Sequence, residues 1–392
     1  MAFRIPLAAP DVGPDELAAV RRVLESGRLS LGPEALAFEA ALAEFCGSGG
    51  ALAISSGTAG LTLCLQALGI GSGDEVITVS YTAMSTANAI VSTGARPVFA
   101  DIDPETLNID PLSARARVSP RTRAMVVVHL FGRPAAMESL GELAATHGLE
   151  IIEDACEALG SYYGRRHVGT LGRAGVFGFY PNKVITCGEG GAIITDDGEF
   201  LERCRILSNQ GRIGMSDDYS SERAGFNYRL SELGAALGAA QMRRLPELLQ
   251  RREELAAAYC ERLSGLDAIE LPELKPEEGQ PSWFAFNIRL TDQYTSTVRD
   301  QIIQRLGKVG IQCGRYFPPV HLSAWFRRTQ GTGQGDLPVT ESVATRSIAL
   351  PFHTHLSDDD LDEVAYQLGK ALDGLENHRS GGKREAGSGK NR

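Results

Sequence analysis

Phe177-Gly-Phe-Tyr-Pro-Asn-Lys183-Val-Ile-Thr-Cys-Gly-Glu-Gly-Gly191 places one lysine in an apolar, aromatic, glycine-flanked run. Residues 175–179 alternate small and bulky apolar side chains, the pattern of a buried strand. Pro181 and the Gly188-Glu-Gly-Gly191 cluster interrupt regular structure around Lys183. Gly191-Ala-Ile-Ile-Thr195 then resumes as a second strand. Desolvation between two buried strands disfavours an ammonium, so the pKa of Lys183 is expected to fall and its amine to become nucleophilic. Schiff-base chemistry requires such an amine. A solvated loop lysine fits the same stretch, which by itself leaves both readings open.

A second stretch separates them. Leu149-Glu-Ile-Ile-Glu-Asp154-Ala-Cys-Glu157 is an apolar strand ending in a carboxylate, 29 residues before Lys183. Pyridoxal phosphate needs a lysine for its aldehyde and an acid that keeps its pyridine nitrogen protonated. A third stretch, Ala51-Leu-Ala-Ile-Ser-Ser-Gly57-Thr58-Ala-Gly-Leu, reads as strand, turn and helix start. A helix start offers free backbone N–H groups and the positive dipole end to a phosphate. Each motif is weak alone. Phosphate cradle, acid and lysine in that order form a sharper signal.

With these residues in view, the chain resembles the DegT/DnrJ/EryC1/StrS group of sugar aminotransferases over roughly residues 5–375. The matching segments are Ser55-Ser-Gly-Thr58, Gly73-Asp-Glu-Val-Ile77, Thr86-Ala-Asn-Ala-Ile90, Ile152-Glu-Asp-Ala155, Pro181-Asn-Lys183, Gly188-Glu-Gly-Gly191 and Phe226-Asn-Tyr-Arg229. The resemblance implies the aspartate-aminotransferase-like (type I) fold, an α/β architecture with pyridoxal 5'-phosphate as cofactor. It makes Lys183 the Schiff-base lysine and Asp154 the partner of the pyridine nitrogen. Some relatives carry histidine at the lysine position and remove a hydroxyl, so Lys183 favours amino transfer. Gly57 and Thr58 are expected on the phosphate. Glu157 is expected near the cofactor's 3-oxygen, where relatives often have glutamine. Two carboxylate-like charges repel there unless one holds a proton.

Other positions depart from the family pattern. Gly178 replaces a serine that touches the phosphate in many relatives. Ala83 replaces an aromatic that stacks on the cofactor ring, leaving Tyr81 or Met84 as candidate covers; a core-facing Tyr81 is the competing reading. Asn227, in Gly225-Phe-Asn-Tyr-Arg229, matches an asparagine that relatives extend to the partner subunit's phosphate, which implies a homodimer. Arg229, Tyr316 and His321 fall in segments associated with the substrate, while a satisfied structural histidine explains His321 equally well.

The chain has 392 residues, 43% of them hydrophobic, a net charge of −10 and a pI of about 5.3. That permits a large core and two domains. No basic face argues for nucleic acid, and no apolar run reaches membrane-spanning length. Seven dispersed cysteines without metal-ligand spacing point to a reducing cytoplasm and to no metal. Seven short apolar runs, at 51–54, 75–78, 97–100, 125–128, 150–153, 175–179 and 191–195, alternate with helical patterns and predict a mostly parallel seven-stranded sheet. The expected organisation is an arm and first helix over 1–30, a large cofactor domain over 31–245, a smaller α/β C-terminal domain over 246–376 and a disordered tail over 377–392. Helices are expected at 231–242 and, separately, at 246–263. The reading is amino transfer from glutamate or glutamine to a keto sugar, nucleotide-linked, through Lys183. A cyclitol ketone as acceptor, or a regulatory protein that binds the cofactor without turnover, are the alternatives.

Overall fold

The structure, a computed structural model, describes residues 3–213 and 224–381. All seven expected strands form: β1 (Gly50–Ile54), β2 (Glu75–Val79), β3 (Arg96–Ala100), β4 (Thr122–Val128), β5 (Glu150–Asp154), β6 (Ala174–Gly178) and β7 (Gly191–Thr195). They make one sheet in the order β1-β7-β6-β5-β4-β2-β3. Neighbours are parallel except β7, which runs antiparallel to both β1 and β6. The runs are apolar without alternation because helices cover both faces. Leu52, Val76, Val126 and Val176 face one buried cluster, while Ile77, Met125 and Val127 face another.

Sequence punctuation sets several helix ends. α1 (Pro14–Ser26) and α2 (Pro33–Cys46) each start at a proline and close on a left-handed glycine, Gly27 and Gly47. α3 (Gly57–Ala67) starts at Ser56, whose hydroxyl accepts from the Ala59 N–H at 3.1 Å. α4 (Met84–Ser92) follows β2, α5 (Met137–His147) follows β4, and α6 (Gly198–Ser208) follows β7.

The two helices expected on either side of Pro246 are one, α7 (Glu232–Leu263). Proline removes one backbone bond and costs about 3 kcal/mol inside a helix. Here Leu245 and Leu248 are buried on either side of it, and packing overrides the local penalty. The 32 residues span about 48 Å. The first half lies on α1 and α2, and the second buries Leu255, Tyr259 and Leu263 in the C-terminal core.

That core is built on a three-stranded antiparallel sheet of β8 (Ile269–Glu270), β9 (Phe286–Leu290) and β10 (Ser347–Leu350). α8 (Ser296–Lys308) and α9 (Asp358–Gly381) pack beside it. The cap of α9 is reciprocal: the Asp360 N–H donates to Ser357 Oγ and the Ser357 N–H to Asp360 Oδ2. Its buried stripe is Leu361, Val364, Leu368 and Leu372. Residues 377–381, expected to be disordered, continue α9, with no proline or glycine from Leu375 to Ser380 to stop it. Residues 382–392 lie outside the described residues, as do residues 214–223 within the expected 210–223 loop. The N-terminal arm is not independent of the C-terminal core: Ile5 is buried in it and exchanges backbone bonds with Gly310 and Gln312. No helix among the described residues is long and apolar enough to cross a membrane.

Candidate active site

β5, β6 and the start of α3 bring the expected residues together at the C-terminal edge of the parallel strands, where α/β sheets form sites. Asp154 is the last residue of β5 and is buried. Its Oδ2 accepts from the Thr86 hydroxyl at 2.7 Å and its Oδ1 from the Cys156 N–H at 3.3 Å. Two acceptor positions of the carboxylate are thereby fixed, and lone pairs remain for a ring N–H. Thr86 belongs to α4, so its register along the helix sets the orientation of Asp154.

Lys183 lies in the loop that joins β6 to antiparallel β7. The Phe179 N–H donates to the Gly190 carbonyl, and the Cys187 N–H and Thr186 hydroxyl to the Phe179 carbonyl. These bonds close the loop beneath the lysine. Of the four lysines among the described residues, Lys183 is the one that is not exposed. It is not the isolated amine the sequence suggests. Its Nζ is 3.5 Å from Glu157 Oε1 and 4.1 Å above the centre of the Phe284 ring. Both contacts hold the end of the side chain in place.

Glu157 is buried, and its Oε2 accepts from the Phe131 N–H at 3.0 Å. Burial pushes its carboxyl above the ordinary 4.5 even though Lys183 and Phe131 pull it down. A carboxyl raised in this way lessens the repulsion expected beside a phenolate oxygen. A raised folded-state pKa means that stability is lost as pH rises from the unfolded value through the folded one. Glu157→Gln removes that loss. The melting temperature of the variant relative to wild type should therefore rise as pH increases from about 4.5, the ordinary glutamate value, upward. Parallel melting curves across that range would show that ionisation at Glu157 is not the cause.

Gly57 and Thr58 open α3, so their N–H groups have no intrahelical partner and point out of the helix start. The approach is tight. A Cβ on Gly57 would meet Cys156 Sγ at 2.5 Å, and one on Gly191 would meet the Ser56 backbone at 2.5 Å. Glycine at both positions lets β7 and Cys156 sit directly beneath the helix start. Free N–H groups, a carboxylate with unused lone pairs and a lysine fit pyridoxal phosphate, with Gly57 and Thr58 at its phosphate, Asp154 at its ring nitrogen and Lys183 at its aldehyde carbon.

Tyr316 also joins the site. Its ring is stacked with Phe284 at 6.3 Å and Phe317 at 4.8 Å, and its hydroxyl bonds to the Asn182 side chain beside Lys183. Three expected residues go elsewhere. Tyr81 is fully buried, and its hydroxyl donates toward the Tyr316 carbonyl at 2.5 Å and lies 2.8 Å from Ser347 Oγ. It ties β2 to the C-terminal core rather than covering a ring, and burial pushes its phenol up to about 12. His321 is also fully buried. Its Nδ1 is 2.6 Å from Ser80 Oγ and its Nε2 is 3.2 Å from Glu341 Oε1, so it is the satisfied structural histidine. Arg229 donates to Asn209 Oδ1 at 2.8 Å and lines a different cavity with Arg28, Glu39 and Arg205. The residues the sequence left out are Thr86, Phe131 and Phe284. Thr86 stood in a quoted family segment, but nothing local pairs it with Asp154. The alternation of residues 283–290 announced a strand without saying which face meets Lys183.

The model of the DegT/DnrJ/EryC1/StrS aminotransferase family matches residues 10–369, and the chain belongs to that family. It is a pyridoxal-phosphate-dependent sugar aminotransferase. It is 38% identical over 370 residues to the spore coat polysaccharide biosynthesis protein SpsC of Bacillus subtilis, covering 92% of this chain and 95% of SpsC. It is 41% identical over 341 residues to the dTDP-3-amino-3,4,6-trideoxy-alpha-D-glucose transaminase of Streptomyces venezuelae, covering 86% and 87%. The solved structure of DesV from S. venezuelae superposes with a TM-score of 0.84 at 39% identity, covering 91% of this chain and 93% of that one.

Proposed function

We propose that the acceptor is a nucleotide-linked keto sugar, that glutamate or glutamine is the amino donor, and that the site is completed across a homodimer. The observation that carries this reading is the Asp154–Glu157–Lys183 cluster set against the open start of α3. The activity of the S. venezuelae relative on a dTDP-linked sugar supports the nucleotide. Pyridoxal phosphate, when bound, supplies the electron-accepting ring. Asp154 holds the proton on the ring nitrogen, and Thr86 holds Asp154. Lys183 Nζ would hold the cofactor's aldehyde carbon and, when released, carry the proton that amino transfer moves. Glu157, its carboxyl raised by burial, would face the 3-oxygen. Phe284 and Tyr316 wall the site against water. Loading the protein with the aminated cofactor and adding keto sugars or cyclitol ketones in single turnovers tests the acceptor. Discharge by a nucleotide-linked keto sugar supports the proposal. Faster discharge by a cyclitol ketone favours the cyclitol alternative, and discharge by none favours a regulatory protein.

Asn227 supports the shared site. It is exposed on a segment pinned by backbone bonds from Phe226 to Leu207 and from Tyr228 to Ser208. Exposed Leu29, Leu31 and Leu36 flank the neighbouring cavity that Arg229 lines. With Gly178 in place of serine, a donor from the partner carries a larger share of the phosphate. Asn227→Ala should weaken cofactor retention by about 10- to 100-fold, the worth of one hydrogen bond to a charged group. Gly178→Ser should restore part of it, because the added Cβ meets Cys156 no closer than 3.4 Å. Mixing inactive Lys183→Ala chains with Asn227→Ala chains should regenerate activity. Mixed dimers as inactive as their parents would place Asn227 in its own subunit's site.

A further inference from the structure

A second cavity, of about 240 Å³, lies between the C-terminal sheet and the loops that follow β3 and β4. Phe131, whose N–H holds Glu157 of the Lys183 site, lines it as well, and no other residue lines both. β9 builds one wall by its register. Phe286, Ile288 and Leu290 turn into the C-terminal core, so Ala285, Asn287 and Arg289 turn the other way and line the cavity. Asn287 is 7% exposed, and neither its Oδ1 nor its Nδ2 completes a hydrogen bond. Its amide lies near the Tyr81 hydroxyl, but that hydroxyl is bonded to Tyr316 and Ser347. An amide offers two donors and two acceptor positions, so even a contact with Tyr81 leaves most of them unmet. Buried polar groups in this state are rare in folded proteins and call for an explanation.

The remaining walls narrow the ligand. Leu107, Leu130, Leu271 and Pro272 are apolar. The two guanidiniums at the cavity are already neutralised: Arg133 pairs with Glu273 at 3.2 Å and Glu278 at 3.0 Å, and Arg289 with Glu270 at 2.6 Å. A phosphate gains little beside such pairs. A sugar ring carries hydroxyls around its whole edge, and apolar walls leave those unpaired. A flat heteroaromatic ring with apolar faces and one edge holding an adjacent donor and acceptor matches both the walls and the amide. The volume is below the ~300–1,000 Å³ of drug-sized sites, which suits one base rather than a nucleotide sugar. Phe131 and Trp283, both lining the cavity, hold φ of 56°, a left-handed backbone that bulky residues rarely adopt.

We propose that this cavity binds a nucleobase, held through paired hydrogen bonds to the Asn287 amide, at a site separate from Lys183. The same edge chemistry is present on a pyrimidine imide and on the amino and N7 edge of adenine, so thymidine and adenosine are the probes. Equilibrium dialysis against the cofactor-loaded enzyme should show saturable binding of at least one of them, one per chain, with a Kd below about 1 mM. Asn287→Leu should weaken it by about tenfold or more, the discrimination of a good bidentate pair. N3-methylthymidine and N6,N6-dimethyladenosine, which lose the donor, should bind the wild-type enzyme correspondingly worse; this arm needs no variant to fold. Binding should persist when the Lys183 site is saturated with a nucleotide-linked sugar. Absence of binding by both nucleosides, equal binding of the methylated analogues, unchanged binding by a folded Asn287→Leu enzyme, or displacement by the nucleotide-linked sugar would each overturn the proposal.

Discussion

Lys183→Ala should lose turnover by at least ~10⁴-fold, because on the proposed reading one side chain both carries the proton and holds the cofactor covalently. The fold survives. Lys183 is partly exposed and its removal leaves Glu157 still bonded to the Phe131 N–H. Burial already raises the Glu157 carboxyl, and loss of the 3.5 Å partner, which pulls it down, raises it further. Steady-state kinetics and a melting curve on the same sample check both halves. Turnover within tenfold of wild type would show that another group moves the proton.

Asp154→Asn comes next in size. The amide preserves the Thr86 and Cys156 contacts in shape but carries no negative charge to hold a proton on the ring nitrogen. The cofactor should remain attached, since Gly57, Thr58 and Lys183 are untouched, while kcat falls by about 10²- to 10³-fold, the usual effect of removing one preorganised electrostatic group. Visible absorbance of the bound cofactor together with kcat separates the two effects. Near-normal turnover would remove Asp154 from the ring nitrogen. Loss of the cofactor itself would make it a structural residue.

The sheet was readable because each of its strands is buried on both faces and therefore writes itself as an apolar run. The ends of α1 and α5 carry local signals: proline, glycine and charge mark α1, and Gly148 closes α5. That Lys183, Asp154 and the Gly57-Thr58 helix start gather at one edge of the sheet was readable because each lies in a local strand-and-turn motif. What could not be read depends on partners far along the chain. Whether the Tyr81 hydroxyl faces a cavity or a neighbour is decided by Tyr316 and Ser347, more than 230 residues away. The role of His321 is decided by Ser80, on the far side of the domain junction, and by Glu341. Pro246 carries the local signal of a helix end, and burial of Leu245 and Leu248 cancels it. The raised carboxyl of Glu157 follows from its burial, against the pull of Lys183 and the Phe131 N–H, and a motif cannot express burial.

Lys183 is one of six lysines in the chain, and the account rests on the cofactor joining that one. Borohydride reduction of the cofactor-loaded protein, followed by digestion and mass spectrometry, reads the attachment directly. The account predicts the cofactor mass on the peptide containing Lys183 and on no other. Attachment at a different lysine, or no attachment in a protein that retains the cofactor's visible absorbance, would contradict it.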